Sequence, residues 1–558
     1  MSKFIAPDIK NFVAWDYVVF AALFLISSGI GVFFAIKERK NVTSKQFLVG
    51  GKQMTCGPVA LSLTASFMSA VTVLGTPAEV YRYGAPFIIF FISYTFVIIF
   101  TSELFLPVFY RSGITSTYEY LELRFNKSVR FAATLIYIVQ TILYTGVVVY
   151  APALALNQVT GFNLWGSVFA TGIVCTFYCT LGGLKAVVWT DTFQLVVMVI
   201  GFLTVLIQGT VQNGGPTNIW ENANNGSRLA VFDFDVDPLR RHTFWTITVG
   251  GTFTWLGIYG VNQSTIQRCI SCKSEKQAKL TVAASINALA TVTFEDFVKY
   301  RFSNLSEKMS TWVSKGLCIV FGVLCTSMAV AASLLGGVVQ ASLSIHGMCG
   351  GPMLGLFTLG TVFPCANWKG AAGGLLTGIT LAFWVAIGAF VYPAQPSKAR
   401  PLHLSTANCT LANNSEMITT LAPTLPPIRP QLADTWYSLS YLYYSAVGCL
   451  GCIIAGLLIS FLTGPAKGKD MKPLLIRPVC NLFCFWSEKC KTLCWCGVQH
   501  DSTKEDSENN LCKDGAKKAG TDEPIHNGFN NETQSHLPGY NHHEKSYTNT
   551  SIETESYF

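Results

Sequence analysis

Charge is what this sequence has least of. Only 13% of its 558 residues are Asp, Glu, Lys or Arg, while 50% are hydrophobic and the mean hydropathy is +0.40. That balance excludes a soluble globular chain and leaves no place for disorder outside a polar tail. The net charge of +8 does not mark a nucleic-acid binder, because Lys and Arg stand in short stretches beside apolar runs and in the tail. Catalytic patterns are missing too. Histidines are scattered, as His242, His346 and His403, and no acid pair falls inside an apolar run, so nothing points to an enzyme. The N-terminus lacks the basic start and small-residue cleavage site of a signal peptide. Its first apolar run, opened by Trp15, Asp16 and Tyr17, is expected to stay as a transmembrane helix.

Long apolar runs are abundant. Eleven are expected to cross a bilayer, near 15–36, 56–80, 85–108, 131–156, 161–182, 185–209, 244–262, 317–341, 344–364, 370–392 and 438–463. Each approaches the roughly 20 residues that a hydrocarbon core of about 30 Å requires. Residues 263–316 hold only Leu280 to Phe294, about 22 Å of helix, too short to cross alone. Loop charge sets the orientation. Lys37, Arg39, Lys40, Arg111, Arg124, Lys127, Lys185, Arg268 and Lys273 fall on one side if every run crosses once, which makes that side cytoplasmic and the N-terminus extracellular. The opposite loops carry glycosylation acceptors at Asn225, Asn408 and Asn413.

Eighteen cysteines do not make a disulfide framework, because Cys175, Cys179, Cys318, Cys325, Cys449 and Cys452 lie within runs, where thiols pack as small apolar groups. Cys480, Cys484, Cys490, Cys494 and Cys496 follow the last run among Phe483, Phe485, Trp486 and Trp495. Their spacing matches no common zinc site. Juxtamembrane palmitoylation is the favoured reading, with zinc or plain thiols as alternatives. Beyond about residue 500 the polar tail is expected to be disordered, and its end, Ser556-Tyr557-Phe558, offers a strand to a PDZ domain.

The second run carries hydroxyls along its length at Ser62, Thr64, Ser66, Ser69, Thr72 and Thr76, and closes with Gly75 and Pro77. A lipid-facing helix needs none of them. Interhelical hydrogen bonding is one account. The other is an unwound helix whose carbonyls and hydroxyls bind Na⁺. The seventh run, Gly250-Gly251-Thr-Phe-Thr-Trp255-Leu-Gly-Ile-Tyr-Gly260, has the same character five runs later. That interval is the pattern of an inverted five-plus-five transporter. The expected fold is therefore an all-α polytopic membrane protein of LeuT-like repeat with an incomplete second half. Its parts are an extracellular 1–14, a leading helix 15–36, a first repeat 56–209, a truncated second repeat 244–364, extra helices 370–463 and a cytoplasmic tail 464–558.

Several stretches give the chain a family resemblance: Ser62 to Pro77, Gly113 to Glu122, Leu143-Tyr-Thr-Gly146, Gly182 to Asp191 and Tyr259 to Arg268. Together they resemble the sodium/solute symporter family, in the branch that holds iodide, biotin and monocarboxylate carriers. The monocarboxylate subgroup is the nearest in likeness. The resemblance implies Na⁺ as coupling ion, no other cofactor, and as substrates lactate, pyruvate, short-chain fatty acids or nicotinate at an apical epithelial plasma membrane. It also implies a sodium site of backbone carbonyls from Ala65 and Met68 with the hydroxyl of Thr281, and a substrate or second-sodium region of Thr72, Thr76, Tyr144 and Trp255. Packing or interface anchoring is the alternative account of the two aromatic residues. Relative to the family, about 70 residues are missing between Leu280 and Thr281, amounting to one whole helix, an outer loop and half of the next helix. Leu280 then stands where the family has the first of two adjacent hydroxyls, Thr281 being the second, and Na⁺ binding is expected to weaken. Two alternatives follow: a non-transporting isoform, or a symporter of another solute such as iodide or a vitamin.

Overall fold

The computed structural model of the chain describes residues 13–37, 61–271, 307–332, 338–403, 430–466 and 472–477, except Leu63, Ser66, Phe67, Ala70, Thr115 and Phe162. Among them the regular structure is helical throughout, the arrangement that satisfies backbone polar groups without help from lipid. The principal helices are α1 (Ala14–Lys37), α2 (Thr76–Tyr83), α3 (Phe90–Phe100), α4 (Leu106–Arg111), α5 (Thr117–Arg124), α6 (Lys127–Thr160) and α7 (Leu164–Gln212). After them come α8 (Pro216–Asn225), α9 (Gly251–Tyr259), α10 (Gln263–Ile270), α11 (Glu307–Ala332), α12 (Val338–Val362), α13 (Trp368–Val391) and α14 (Tyr444–Leu462). Eight helical stretches among the described residues are long and apolar enough to cross a membrane.

Sequence punctuation sets many of the ends. Asn126, Asn163, Asn262 and Asn367 each accept a hydrogen bond from the first turn of the helix that follows, which satisfies backbone donors that no helical carbonyl reaches. Gly161 closes α6 in the left-handed region, at φ 70°.

The second run is broken. Residues 61–62 and 64–65 are helical, Met68 and Ser69 leave the helix, and a π-helical turn over Val71–Gly75 leads into α2. The seventh run differs from expectation: its π-turn comes early, over Thr246–Gly250, and α9 is regular until Gly260. The fifth and sixth runs also differ. Instead of two helices parted near 182–185 they form α7, one helix of 49 residues. At 1.5 Å per residue it extends about 74 Å, more than twice the hydrocarbon thickness. Gly182 and Gly183 permit a turn there but no proline forces one.

Helices α12, α13 and α14 pack on one another through glycine. A methyl group on Gly351 would strike the Ser445 carbonyl, one on Gly374 the Cys452 carbonyl and one on Gly378 the Gly448 carbonyl. In lipid, where apolar burial gives no advantage to helix association, such backbone approach supplies the dispersion contact. Arg124 at the end of α5 donates to the carbonyls of Gly360 (3.0 Å), Phe363 (2.9 Å) and Pro364 (3.3 Å), where the C-terminal dipole of α12 favours a cation. Of the in-run thiols, Cys179, Cys318, Cys325, Cys449 and Cys452 are buried and Cys175 is half-buried, and none of these six forms a disulfide. The post-membrane cysteine cluster, the tail beyond residue 477, Thr281, Asn408 and Asn413 lie outside the described residues.

Candidate substrate cavity

The broken helix runs beside a cavity of about 360 Å³ whose walls include Thr72, Thr76, Tyr144 and Trp255. Four residues singled out on different parts of the sequence therefore share one space. Trp255 enters from α9 and is set by an aromatic cluster, with ring centroids 5.2 Å from Tyr94, 5.8 Å from Tyr259 and 6.4 Å from Phe90. The first of these and the last meet edge to face and the Tyr259 ring is tilted, packing that fixes an aromatic wall at low entropic cost. Also lining the cavity, Tyr144 of α6 meets the ring of His346 from α12, with centroids 4.3 Å apart. Ser69, Gln140, Asn262 and Ser342 add polar atoms, and no Lys, Arg, Asp or Glu stands among the described lining residues.

Met68 precedes the cavity-lining Ser69, and its N–H donates to the Thr64 carbonyl at 3.0 Å. Ala65 lies three residues before Met68, on the last described helical stretch ahead of the break. The Ala65–Met68–Thr281 constellation is not assembled among the described residues, because Thr281 is not one of them. Asn225, the described glycosylation candidate, is exposed at the end of α8.

Ion-pair clusters flank the cavity along the broken helix. Before it, Ser62 donates to Asp191 of α7 at 2.7 Å, and Arg268 of α10 donates both to Asp191 at 2.9 Å and to Ser62. After it, Glu79 accepts from Arg241 at 2.8 Å, and Arg241 also donates to Gln340 at 2.6 Å. The Arg241 guanidinium lies 4.4 Å over the Tyr83 ring and 5.0 Å over that of Tyr441. The neighbouring His242 contacts the Tyr441 hydroxyl at 2.9 Å. Burial and the Arg241 charge hold the His242 imidazole well below its ordinary 6.5. Nearby, a hydrogen bond from Lys398 at 2.6 Å holds the Asp237 carboxyl below its ordinary 3.8.

Both ion-pair clusters escaped sequence reasoning, since Asp191 and Arg268 are 77 residues apart and Glu79 and Arg241 are 162 apart. So did His346, although an ionisable side chain inside an apolar run is itself a signal.

Comparison with known proteins agrees with this architecture. The profile described as "Sodium:solute symporter family" matches residues 47–295. The human protein named "Sodium-coupled monocarboxylate transporter 2" is 66% identical over 620 aligned positions, covering 98% of this chain and 99% of that one. Its mouse counterpart is 66% identical over 623 positions, covering 99% and 100%. These alignments are longer than the 558 residues here, so the relatives carry residues this chain lacks. Among solved structures, the substrate-bound outward-open state of a Na⁺-coupled sialic acid symporter superposes with a TM-score of 0.64 at 20% identity. It covers 82% of this chain and 100% of that one. At that identity the likeness speaks for fold alone, which is LeuT-like.

Proposed function

The chain belongs to the sodium:solute symporter family, and on that premise we propose that it imports small monocarboxylates with Na⁺ by alternating access. Na⁺ is the coupling ion. The substrates are lactate, pyruvate, short-chain fatty acids and nicotinate. The observation that carries this reading is the cavity itself, with its hydroxyl and aromatic walls and no fixed charge among the described lining residues. An anion desolvated there without a partner would cost several kcal/mol, so Na⁺ bound beside it supplies the counter-charge. Ala65 and Met68 carbonyls with Thr281 hold sodium, while Thr72, Thr76, Tyr144 and Trp255 meet substrate or a second sodium. Because Na⁺ and substrate favour the same outward-facing state, each raises the affinity for the other.

In this reading 56–209 and 244–364 are the two repeats, the N-terminus and Asn225, Asn408 and Asn413 are extracellular, and the protein resides in the apical plasma membrane. A second reading is favoured by the aligned positions this chain lacks: an isoform that reaches the membrane without transporting. Na⁺-dependent uptake of labelled lactate, with surface biotinylation of the same cells, separates the two. Uptake above that in Na⁺-free medium supports transport. Surface protein without uptake overturns it in favour of the second reading.

A further inference from the structure

His346 is the only residue of the described cavity lining whose side chain is an imidazole, and its geometry assigns each ring nitrogen a role. It sits on α12 and is only 6% exposed. Nδ1 lies 3.0 Å from the carbonyl of Ser342, one turn earlier on the same helix. A carbonyl can only accept, so Nδ1 carries the proton. The described groups around the ring are uncharged. Tyr144 packs edge to face from α6. Trp255 shares the cavity from α9, with Tyr259 at 5.8 Å from it. Tyr444 of α14 packs against Gly347, the next residue of α12. Among the described residues no carboxylate lies against the imidazole to favour a second proton. The ring is therefore neutral, and Nε2, on the edge away from Ser342, presents a lone pair. No described residue donates to it.

An acceptor facing a cavity meant for anions is an unexpected arrangement. It repels a carboxylate oxygen and leaves that end of the substrate to Na⁺. What it suits is a hydrogen-bond donor placed one carbon away from the carboxylate. We propose that His346 is a specificity residue whose Nε2 accepts a hydrogen bond from the hydroxyl of a 2-hydroxy monocarboxylate. The inference rests on the transport reading above and adds to it which part of the substrate faces α12. Acids without the hydroxyl enter the same cavity but leave Nε2 unpaired.

Lactate and propionate differ only in that hydroxyl, so their responses to substitution of His346 form the test. Initial rates of Na⁺-dependent uptake are measured for both labelled acids in cells expressing the full chain, normalised to surface protein. His346→Phe keeps a ring against Tyr144 and removes Nε2. It is expected to raise KM for lactate about five- to tenfold, the size of one lost hydrogen bond, while propionate stays within about twofold. His346→Gln returns an accepting oxygen and is expected to bring lactate back to within about threefold. His346→Leu serves as a second removal should the Phe variant fail to reach the surface. If both acids weaken in parallel, or the lactate-to-propionate ratio stays unchanged, the inference is overturned and the transport reading stands. If the unmodified chain takes up neither acid in Na⁺ medium, the transport reading falls and the inference with it.

Discussion

Arg268 is the side chain whose removal should cost this fold most for its size. It is 1% exposed, and it donates to Asp191 at 2.9 Å and to Ser62, which itself donates to Asp191 at 2.7 Å. Three elements distant in sequence are thus joined by one carboxylate and one guanidinium. Arg268→Met keeps much of the volume but leaves the Asp191 charge with only the Ser62 hydroxyl among its described hydrogen-bond partners. Breaking one partner of a buried pair costs about 3–5 kcal/mol, and about 3 kcal/mol already reduces the folded-to-unfolded ratio more than 100-fold. Asp191→Asn strands the cation at a similar cost. The double variant buries neither charge and should recover a large part of either loss, giving a coupling of about 2 kcal/mol or more. Thermal unfolding of the purified chain in detergent, followed by size-exclusion fluorescence, measures all four corners of the cycle. Additive losses would refute the reasoning, because they would mean that the two charges do not stabilise one another.

Two further outcomes follow from residues away from the cavity floor. His242 is held neutral when folded, whereas the unfolded chain takes up a proton near pH 6.5. Its contribution is therefore full above about pH 6.5 and is lost as pH falls below it. Melting temperature should drop between pH 7.5 and 5.5, and His242→Gln should flatten that drop; an unchanged slope would show that other groups set it. Gly374→Val places a side chain against the Cys452 carbonyl and the Gly456 backbone. Overpacking of about 1–3 kcal/mol should lower surface expression sharply, as biotinylation would register, whereas Gly201→Val, with nothing within 4 Å, should be silent.

Hydropathy made most of the crossings legible, because a bilayer demands length and apolarity and little else. That the second run breaks was legible from its glycine, proline and hydroxyls, but where it breaks was not: the chain leaves the helix at Met68 and Ser69, while Gly75 and Pro77, read as its close, lie in the helical stretch that follows. The continuity of α7 was not legible. A lysine after two glycines reads as a loop, yet none of the three forbids helix, and backbone hydrogen bonding prevails where no proline opposes it. The gathering of Thr72, Thr76, Tyr144 and Trp255 around one cavity came from family likeness rather than periodicity. His346 shows the limit of local reading: an imidazole inside an apolar run marks the residue, yet only the contact of Nδ1 with the Ser342 carbonyl gives its nitrogens separate duties.

The uncharged lining of the cavity also has an electrical meaning. Moving one elementary charge through the membrane potential is worth about 2.3 kcal/mol per 100 mV. The described walls, without fixed charge, add nothing to that work when they change sides, so at them the voltage acts on the cargo alone. One Na⁺ paired with one monocarboxylate would cross without sensing the field, and each further Na⁺ would appear as one full charge of current. Current per molecule of substrate then gives the number of Na⁺ beyond the first, with no correction for displaced charge on the described cavity lining.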